Sequence, residues 1–228
     1  MKKKGLLLLF VLILFAISGS WLTVFHADFE TDVPGSTPVT APDGDPPNDR
    51  LNFDGDLEII NSAPLGSKAL KIDRSTTPPA TILECITDGG PHTNGTYYIE
   101  FKSYAEADES GLGISVQSTS RHKALQMGFK DGRYGLSSGD GQDMLAGTYP
   151  PGTIHSIRIT MNMNSRKFSV AINDVQVALD KTFLDVGFKD LYLIRFNYVP
   201  AIVEAFPGVY IVDDISIKKY LGSGIKCR

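Results

Sequence analysis

The chain has 228 residues, 42% of them hydrophobic, so it is long enough to bury a sizeable core in a single domain. Its formal net charge of −4 excludes a general electrostatic attraction to nucleic acid, which we therefore do not expect as a partner. The same charge excludes a general attraction to anionic lipid surfaces. Its two cysteines are too few to define a disulfide framework.

The N-terminal segment is hydrophobic and begins with three lysines. An unbroken apolar run at 6–17 is followed by small residues at 18–20, the layout of a secretory signal peptide. Trp21–Phe25 extend the apolar stretch to about twenty residues, enough for a membrane-spanning helix. Residues 1–25 are therefore predicted to form a hydrophobic helix, either a cleaved signal peptide or a retained membrane anchor, and residues 26–228 the folded domain. Both alternatives predict a secreted, cell-surface or periplasmic protein, which contacts a membrane only through an uncleaved segment.

The next stretch, residues 31–56, is rich in Pro, Gly, Asp, Thr and Asn. Turn-forming residues at this density predict a long loop. The apolar segment Val24–Phe29 before it must then find its packing partners beyond the loop.

From residue 57 onward, short β-branched and aromatic segments alternate with Gly and Pro, a pattern that predicts strands. The predicted strands are Leu57–Ile60, Ala69–Ile72, Thr81–Ile86, Tyr97–Phe101, Leu112–Val116, Ala124–Phe129, Ile154–Met163, Phe168–Ile172, Leu191–Phe196 and Val209–Ile217. Beyond the N-terminal segment no sustained helical period occurs. Many short strands with short connections predict an all-β fold, a two-sheet antiparallel β-sandwich.

The order of local motifs resembles the concanavalin A-like lectin and glucanase superfamily, including its laminin G-like and carbohydrate-binding jelly rolls. Five segments carry the resemblance: Ala27–Glu30, Gly66–Ile72, Gly152–Ile159, a strand and turn at 166–174, and Tyr210–Ile217 with its paired aspartates. The resemblance implies a jelly roll over about residues 27–219. It also implies lectin-like binding of a glycan or polysaccharide, although one sandwich fold hosts many functions.

Catalytic signatures are weak. Retaining glucanases need two closely spaced carboxylates, and the nearest segment, Glu106–Ser110, has its third carboxylate out of phase, as in a solvated hairpin. Phe129–Tyr134 looks like an alginate-lyase motif without its companion motifs, and an Asp-Gly hairpin turn explains it better. The four histidines share no metal-ligand spacing. We therefore favour glycan binding without cleavage. A hydrolase or lyase with dispersed catalytic residues and a structural or adhesive envelope protein remain the alternatives.

Strand alternation supplies the candidate glycan-binding residues, because side chains opposite the core face outward. Sugar hydroxyls need directional polar partners, and a tyrosine ring can cover the apolar face of a pyranose. The predicted site residues are Tyr98, Glu100, Gln126, Arg158, Arg195 and Asn197. Arg158, Arg195 and Glu100 are predicted to share one groove, where two arginines would suit a uronate carboxylate.

Two further features are predicted. Asp213 alternates with Ile211 and Ile215, so its carboxylate points with apolar residues and needs a cation or hydrogen-bond donors. The resemblance implies one structural calcium ion held by Glu30, Asp213 and Asp214, together with backbone carbonyls near Lys68. Export and an even cysteine count motivate a disulfide between Cys85 and Cys227.

Overall fold

The computed structural model describes residues 20–39, 50–73, 82–87, 91–106, 111–130, 132–197 and 208–222. These residues form fifteen strands and no helix. In chain order the strands are β1 (Trp21–Ala27), β2 (Arg50–Asp54), β3 (Leu57–Ser62), β4 (Ser67–Asp73), β5 (Ile82–Ile86), β6 (Thr96–Ala105), β7 (Leu112–Gln117), β8 (Lys123–Lys130), β9 (Arg133–Ser138), β10 (Gly141–Thr148), β11 (Ile154–Asn162), β12 (Lys167–Ile172), β13 (Val175–Thr182), β14 (Leu193–Asn197) and β15 (Val209–Tyr220).

The strands form two antiparallel sheets. One has eight strands, in the order β13-β12-β11-β6-β15-β4-β3, with β1 also paired to β15. The other has seven strands, in the order β10-β9-β8-β7-β14-β5-β2. β15 lies at the centre of the larger sheet: it pairs with β6 on one side, and on the other with β4 through Val209–Val212 and with β1 through Ile215–Tyr220.

The hydrophobic core lies between the two sheets. Phe101 of β6 packs edge-on against Phe196 of β14, with 5.2 Å between the ring centroids, and both side chains are buried. Tyr97, Ile99 and Phe101 are all buried, as their alternation predicts. The all-β, two-sheet antiparallel sandwich predicted from the sequence is therefore confirmed.

The N-terminal boundary differs from the predicted one. Trp21–Phe25, assigned above to the hydrophobic segment, belong to β1 and pair with β15, so the sandwich begins before residue 26. Val24 and Phe25 are buried in the core. A short apolar run is compatible with either a helix or a buried strand, so its composition alone could not show that the strand begins at Trp21. The predicted hydrophobic helix before residue 20 lies outside the described residues, and no helix among the described residues is long and apolar enough to cross a membrane.

The Pro- and Gly-rich stretch at 31–56 is not wholly loop. Its end forms β2, which pairs with β5 at the edge of the smaller sheet. Leu51 is buried in the core, while Phe53 packs partly buried against it. Two apolar residues in a five-residue strand give too little pattern to stand out among turn residues.

A two-residue turn joins β12 and β13. Asn173 and Asp174 both have positive φ values, 49° and 61°, in the hairpin closed by the pair Ile172 and Val175. Left-handed backbone at both central positions matches the twist of the flanking strands, and Asn and Asp tolerate it well. Asn173 also accepts a hydrogen bond of 2.9 Å through Oδ1 from the backbone N–H of Ser156 on β11. The turn thus fixes one end of β11.

Asn173→Ala is expected to lower the free energy of unfolding by about 2 kcal/mol. It places a methyl side chain, which has no polar atom to compensate, at positive φ and removes the hydrogen bond to Ser156. Urea unfolding measures the change. Asn173→Gly removes the same hydrogen bond but tolerates the backbone conformation, so it should cost about half as much. Equal losses in both variants would show that backbone strain contributes nothing.

Candidate functional site

The predicted site residues lie on both sheets. Tyr98, Glu100 and Arg158 belong to β6 and β11 of the eight-stranded sheet. Gln126, Arg195 and Asn197 belong to β8 and β14 of the seven-stranded sheet. The prediction that Arg158, Arg195 and Glu100 share one groove is therefore wrong, because side chains pointing outward from opposite sheets are separated by the core.

The outward face of the eight-stranded sheet carries a cluster of ion pairs beside a cavity of about 640 Å³. Arg158 Nε donates a 2.6 Å hydrogen bond to Glu100 Oε1, and Lys218 Nζ donates one of 3.5 Å to Glu100 Oε2. Arg158 also pairs with Asp174 at 3.4 Å, and Lys102 pairs with Asp214. Desolvation opposes ionisation of Glu100, but the bonds from Arg158 and Lys218 outweigh it and lower its pKa. We call this set the charged face; its charges are balanced internally.

Tyr98 lies on the same side of that sheet, next to Trp21. The two ring centroids are 4.3 Å apart, and Trp21 also contacts Tyr220 at 4.9 Å. Tyr98 is therefore part of an aromatic cluster around Trp21, at the start of β1.

The seven-stranded sheet carries a different arrangement, which we call the polar row. Six residues occupy matching register positions on six adjacent strands and point away from the core: Asn52, Glu84, Arg195, Ser115, Gln126 and Ser137. Their chain neighbours, such as Leu83 and Ile194, are buried in the core. Ser115, Gln126 and Ser137 are nevertheless only 2%, 7% and 1% exposed. These three side chains are therefore covered, although they point away from the core between the sheets.

Two polar atoms in the row lack hydrogen-bond partners among the described residues. They are Arg195 Nε and Ser137 Oγ, both buried. Ser115 is better satisfied, because its Oγ accepts a 2.7 Å bond from Gln117 Nε2. Buried polar groups in folded proteins are nearly always paired, and an unpaired one costs about 1–3 kcal/mol. The two atoms, on β14 and β9, are thus the unpaired buried polar atoms of the row among the described residues.

A strip of glycines lies beside the polar row. Gly113, Gly128 and Gly135 occupy adjacent register positions on β7, β8 and β9, and Asn197 of β14 continues the same line. They stand two residues from Ser115, Gln126 and Ser137, so they belong to the same outward face. Glycine inside a strand often marks a place where a ligand or another segment of backbone comes close, and all three positions are buried. We call these three residues the glycine strip.

Glu84 anchors one end of the polar row. It is 4% exposed, and its Oε1 accepts a 2.5 Å bond from Arg121 while Oε2 accepts one of 3.2 Å from Asn52. Arg195 Nε lies 3.7 Å from the same Oε1. Around this cluster is a cavity of about 490 Å³. Glu84 and Arg121 are not among the residues predicted from the sequence, although a lone carboxylate inside the apolar strand Ile82–Ile86 is a visible signal for Glu84.

The residues predicted to hold calcium are occupied by donors from the chain itself. Lys68 Nζ donates hydrogen bonds of 2.6 and 2.9 Å to the carbonyl oxygens of Glu30 and Asp32, and the Lys68 N–H donates one of 3.0 Å to Glu30 Oε1. The residues described contain no group of three or more His, Cys, Asp or Glu that could hold a metal ion. These oxygens therefore fit an ammonium group better than a calcium ion, and the ion stays a prediction.

Asp213 is 1% exposed and is satisfied by hydrogen bonds. Its Oδ2 accepts a 2.6 Å bond from Ser67, and its Oδ1 accepts one of 2.8 Å from the backbone N–H of Asp214. Burial raises the pKa of Asp213, and these two bonds oppose the shift only in part. Donors, the alternative to a cation in the sequence analysis, thus account for this buried carboxylate.

One cysteine of the predicted disulfide lies among the described residues. Cys85 is fully buried on β5, and Cys227 lies outside the described residues, so the pairing stays a prediction.

His155 is 2% exposed, and its Nε2 lies 2.9 Å from Thr153 Oγ1 and 3.2 Å from the Pro150 carbonyl oxygen. Burial lowers its pKa against the effect of the Pro150 contact, and its position in the sheet is structural.

No protein family and no curated protein matches the sequence. Solved structures match it in fold. One is the catalytic domain of a glycoside hydrolase family 131 protein from Coprinopsis cinerea, with TM-score 0.55, 13% identity, 89% of this chain and 99% of that chain covered. Another is domain 4 of AbnA, an extracellular arabinanase from Geobacillus stearothermophilus in complex with arabinotriose, with TM-score 0.56, 12% identity, and coverage of 88% and 93%.

A third is the Trypanosoma rangeli sialidase in complex with 2,3-difluorosialic acid, with TM-score 0.56 and 10% identity; the match covers 92% of this chain but 32% of the sialidase. At such low identities the likeness shows the fold alone. That fold is a jelly-roll sandwich, the fold that the sequence resemblance implies.

Proposed function

We propose that this chain binds a glycan, without cleaving it, on the polar row and glycine strip of the seven-stranded sheet. The observation that carries the proposal is the pair of unpartnered polar atoms, Arg195 Nε and Ser137 Oγ, on the outward side of a sheet where Arg195 also lines a cavity of about 490 Å³. A ligand bearing many hydroxyl groups can accept from the arginine and exchange hydrogen bonds with the serine. Binding would then remove the cost of leaving both atoms unpaired.

The glycine strip supports a ring-shaped ligand. Gly113, Gly128 and Gly135 place no side chain beside Gln126 and Ser115, and all three positions are buried. A pyranose ring over the strip would meet no side chain from these three residues and would bring its hydroxyl groups towards the polar row. Sugar sites commonly combine such flat contact with a few directional polar groups.

The polar row has too few carboxylates to cleave a glycosidic bond by the usual mechanism. Hydrolysis of a glycosidic bond uses two carboxyl groups facing the scissile bond, about 5–5.5 Å apart in retaining enzymes. Within the polar row Glu84 is the one carboxylate, and its two oxygens already accept bonds from Arg121 and Asn52. This pairing fits a structural role beneath the binding surface better than proton transfer.

We further propose that binding takes place outside the cytoplasm. The lysine-led apolar run at 6–17 supports export. The arabinanase with a matching domain is described as extracellular, which agrees with this placement.

Binding of the exported fragment to a panel of immobilised polysaccharides tests the proposal, with parallel assays for new reducing ends and unsaturated uronates. We expect binding without product. The double variant Arg195→Ala/Gln126→Ala should weaken binding at least about 10-fold, because it removes two polar partners of the ligand.

The matched control is Arg158→Ala/Glu100→Ala on the charged face of the other sheet. It removes residues of similar chemistry in equal number and should leave affinity unchanged. Loss of binding in this control alone would move the site to the charged face. Release of product by the wild type would replace binding with an enzymatic function.

A further inference from the structure

The cavity beside Glu84 carries more positive than negative charge. Arg121, Lys123 and Arg195 line it, together with the carboxylates of Glu84 and Asp54. Its volume, about 490 Å³, falls in the range of ligand pockets, roughly 300–1,000 Å³. Glu84 is buried beneath the surface, so its charge is held close to the two arginines.

The single charge of Glu84 does not neutralise both guanidinium groups that pair with it. Arg121 makes the short bond to Glu84 Oε1, at 2.5 Å, whereas Arg195 Nε stands 3.7 Å from that oxygen and makes no hydrogen bond among the described residues. Lys123 forms no ion pair with any residue that the structure describes. Arg195 and Lys123 are therefore available to an anion entering the cavity.

The backbone holds Arg121 in a strained conformation. Its φ is +64°, in the left-handed region that a long side chain rarely adopts. The turn is fixed by the Arg121 N–H bond to the Ser118 carbonyl, at 2.9 Å, and by Asp190, which accepts bonds of 2.9 and 3.1 Å from Thr119. Strain of this kind costs about 1–3 kcal/mol and persists where the surroundings enforce it, commonly at ligand sites. Here it projects a guanidinium to the cavity.

We propose that this cavity is a subsite for the carboxylate of an acidic sugar, a uronate or sialate unit of the glycan. The inference rests on the glycan binding proposed above and names the class of sugar. A guanidinium fork pairs a carboxylate through two parallel hydrogen bonds, which gives both affinity and orientation. Arg195 supplies the fork and Lys123 supplies a second charge. The neighbouring polar row contacts the hydroxyl groups of the same or the next sugar.

The inference is tested by measuring affinity for pairs of glycans that differ in their acidic group. The pairs are polygalacturonate with its fully methyl-esterified form, and sialyllactose with lactose. We expect the wild type to bind the acidic member of at least one pair on the order of 10-fold more tightly. The preference should shrink as sodium chloride is raised, because salt screens the ion pair. Arg195→Gln and Lys123→Gln should each abolish most of it.

Arg158→Gln, on the charged face of the opposite sheet, is the matched control and should keep the full preference. If Arg195→Gln does not fold, Lys123→Gln carries the same expectation, because its side chain is partly exposed. Equal binding of acidic and neutral members, or an unchanged preference in both variants, would overturn the acidic subsite and leave glycan binding standing. Failure to bind any glycan of the panel and of these pairs would overturn both proposals.

Discussion

A chain that begins at Asp28 is expected to lose most of its folding stability, because it lacks β1. Val24 and Phe25 are 3% and 0% exposed in the core, and burial of each such side chain contributes roughly 1.5–3 kcal/mol. The deletion also leaves the Ile215–Tyr220 half of β15 without a partner on that side. Whole domains are stable by only about 5–15 kcal/mol. We expect a lower yield of soluble protein and a far lower thermal midpoint, measured by circular dichroism.

The matched control is a chain that begins at Ser20 and keeps the whole of β1. It should fold with an ordinary cooperative transition. If the chain from Asp28 unfolded at the same midpoint as the chain from Ser20, β1 would not contribute to the sheet in solution.

Lys68→Met is expected to lower the free energy of unfolding by about 2 kcal/mol. The ammonium group bonds the carbonyl oxygens of Glu30 and Asp32 and so ties the segment after β1 to β4. Hydrogen bonds from a charged donor contribute about 1.5–3 kcal/mol each, less where solvent competes. Methionine keeps the length of the side chain but cannot donate, so both carbonyls lose their partner. Chemical unfolding measures the loss.

Lys71→Met is the matched control on the same strand. Lys71 pairs with Asp73 at 2.9 Å and with Glu58 at 4.0 Å, both partly exposed, and surface pairs contribute about 0–1 kcal/mol. Equal losses in the two variants would remove the special role of Lys68.

Adding a chelator tests whether the Lys68 ammonium group or the predicted calcium ion supplies the positive charge at Glu30 and Asp32. If Lys68 supplies the positive charge at Glu30 and Asp32, the midpoint of the wild type should not move when a chelator is added. A chelator that lowers it would establish the calcium ion and show that Lys68 does not take its place.

The fold could be predicted where strands bury alternate side chains. In β6 every second residue from Tyr97 onward is buried, and this period, together with the aromatic composition, predicts the strand. β13 shows no such period, because Val175 and Leu179 are both 65% exposed at the edge of the sheet. β9 and β10 are rich in Gly, Ser and other polar residues, so no strand was predicted there.

The candidate site could be predicted only in part. The alternation of side chains correctly predicted that Arg158 and Arg195 point away from the core. It does not predict which sheet a strand joins. That depends on pairing across long distances: Arg195 meets Ser115 and Glu84, whereas Arg158 meets Glu100. Arg121 lies in a turn, where no period exists, and only the folded chain brings it to Glu84.

The central position of β15 determines when the chain can fold during synthesis. Trp21 near one end pairs with Tyr220 near the other, and Ile217 pairs with Ile99. Among the described strands β1 has no partner except β15, so β1 cannot join the sheet until β15 has been synthesised. Pairing across such separations makes folding slow and leaves strand edges open to aggregation meanwhile. The eight-stranded sheet is therefore complete only after β15 has been synthesised.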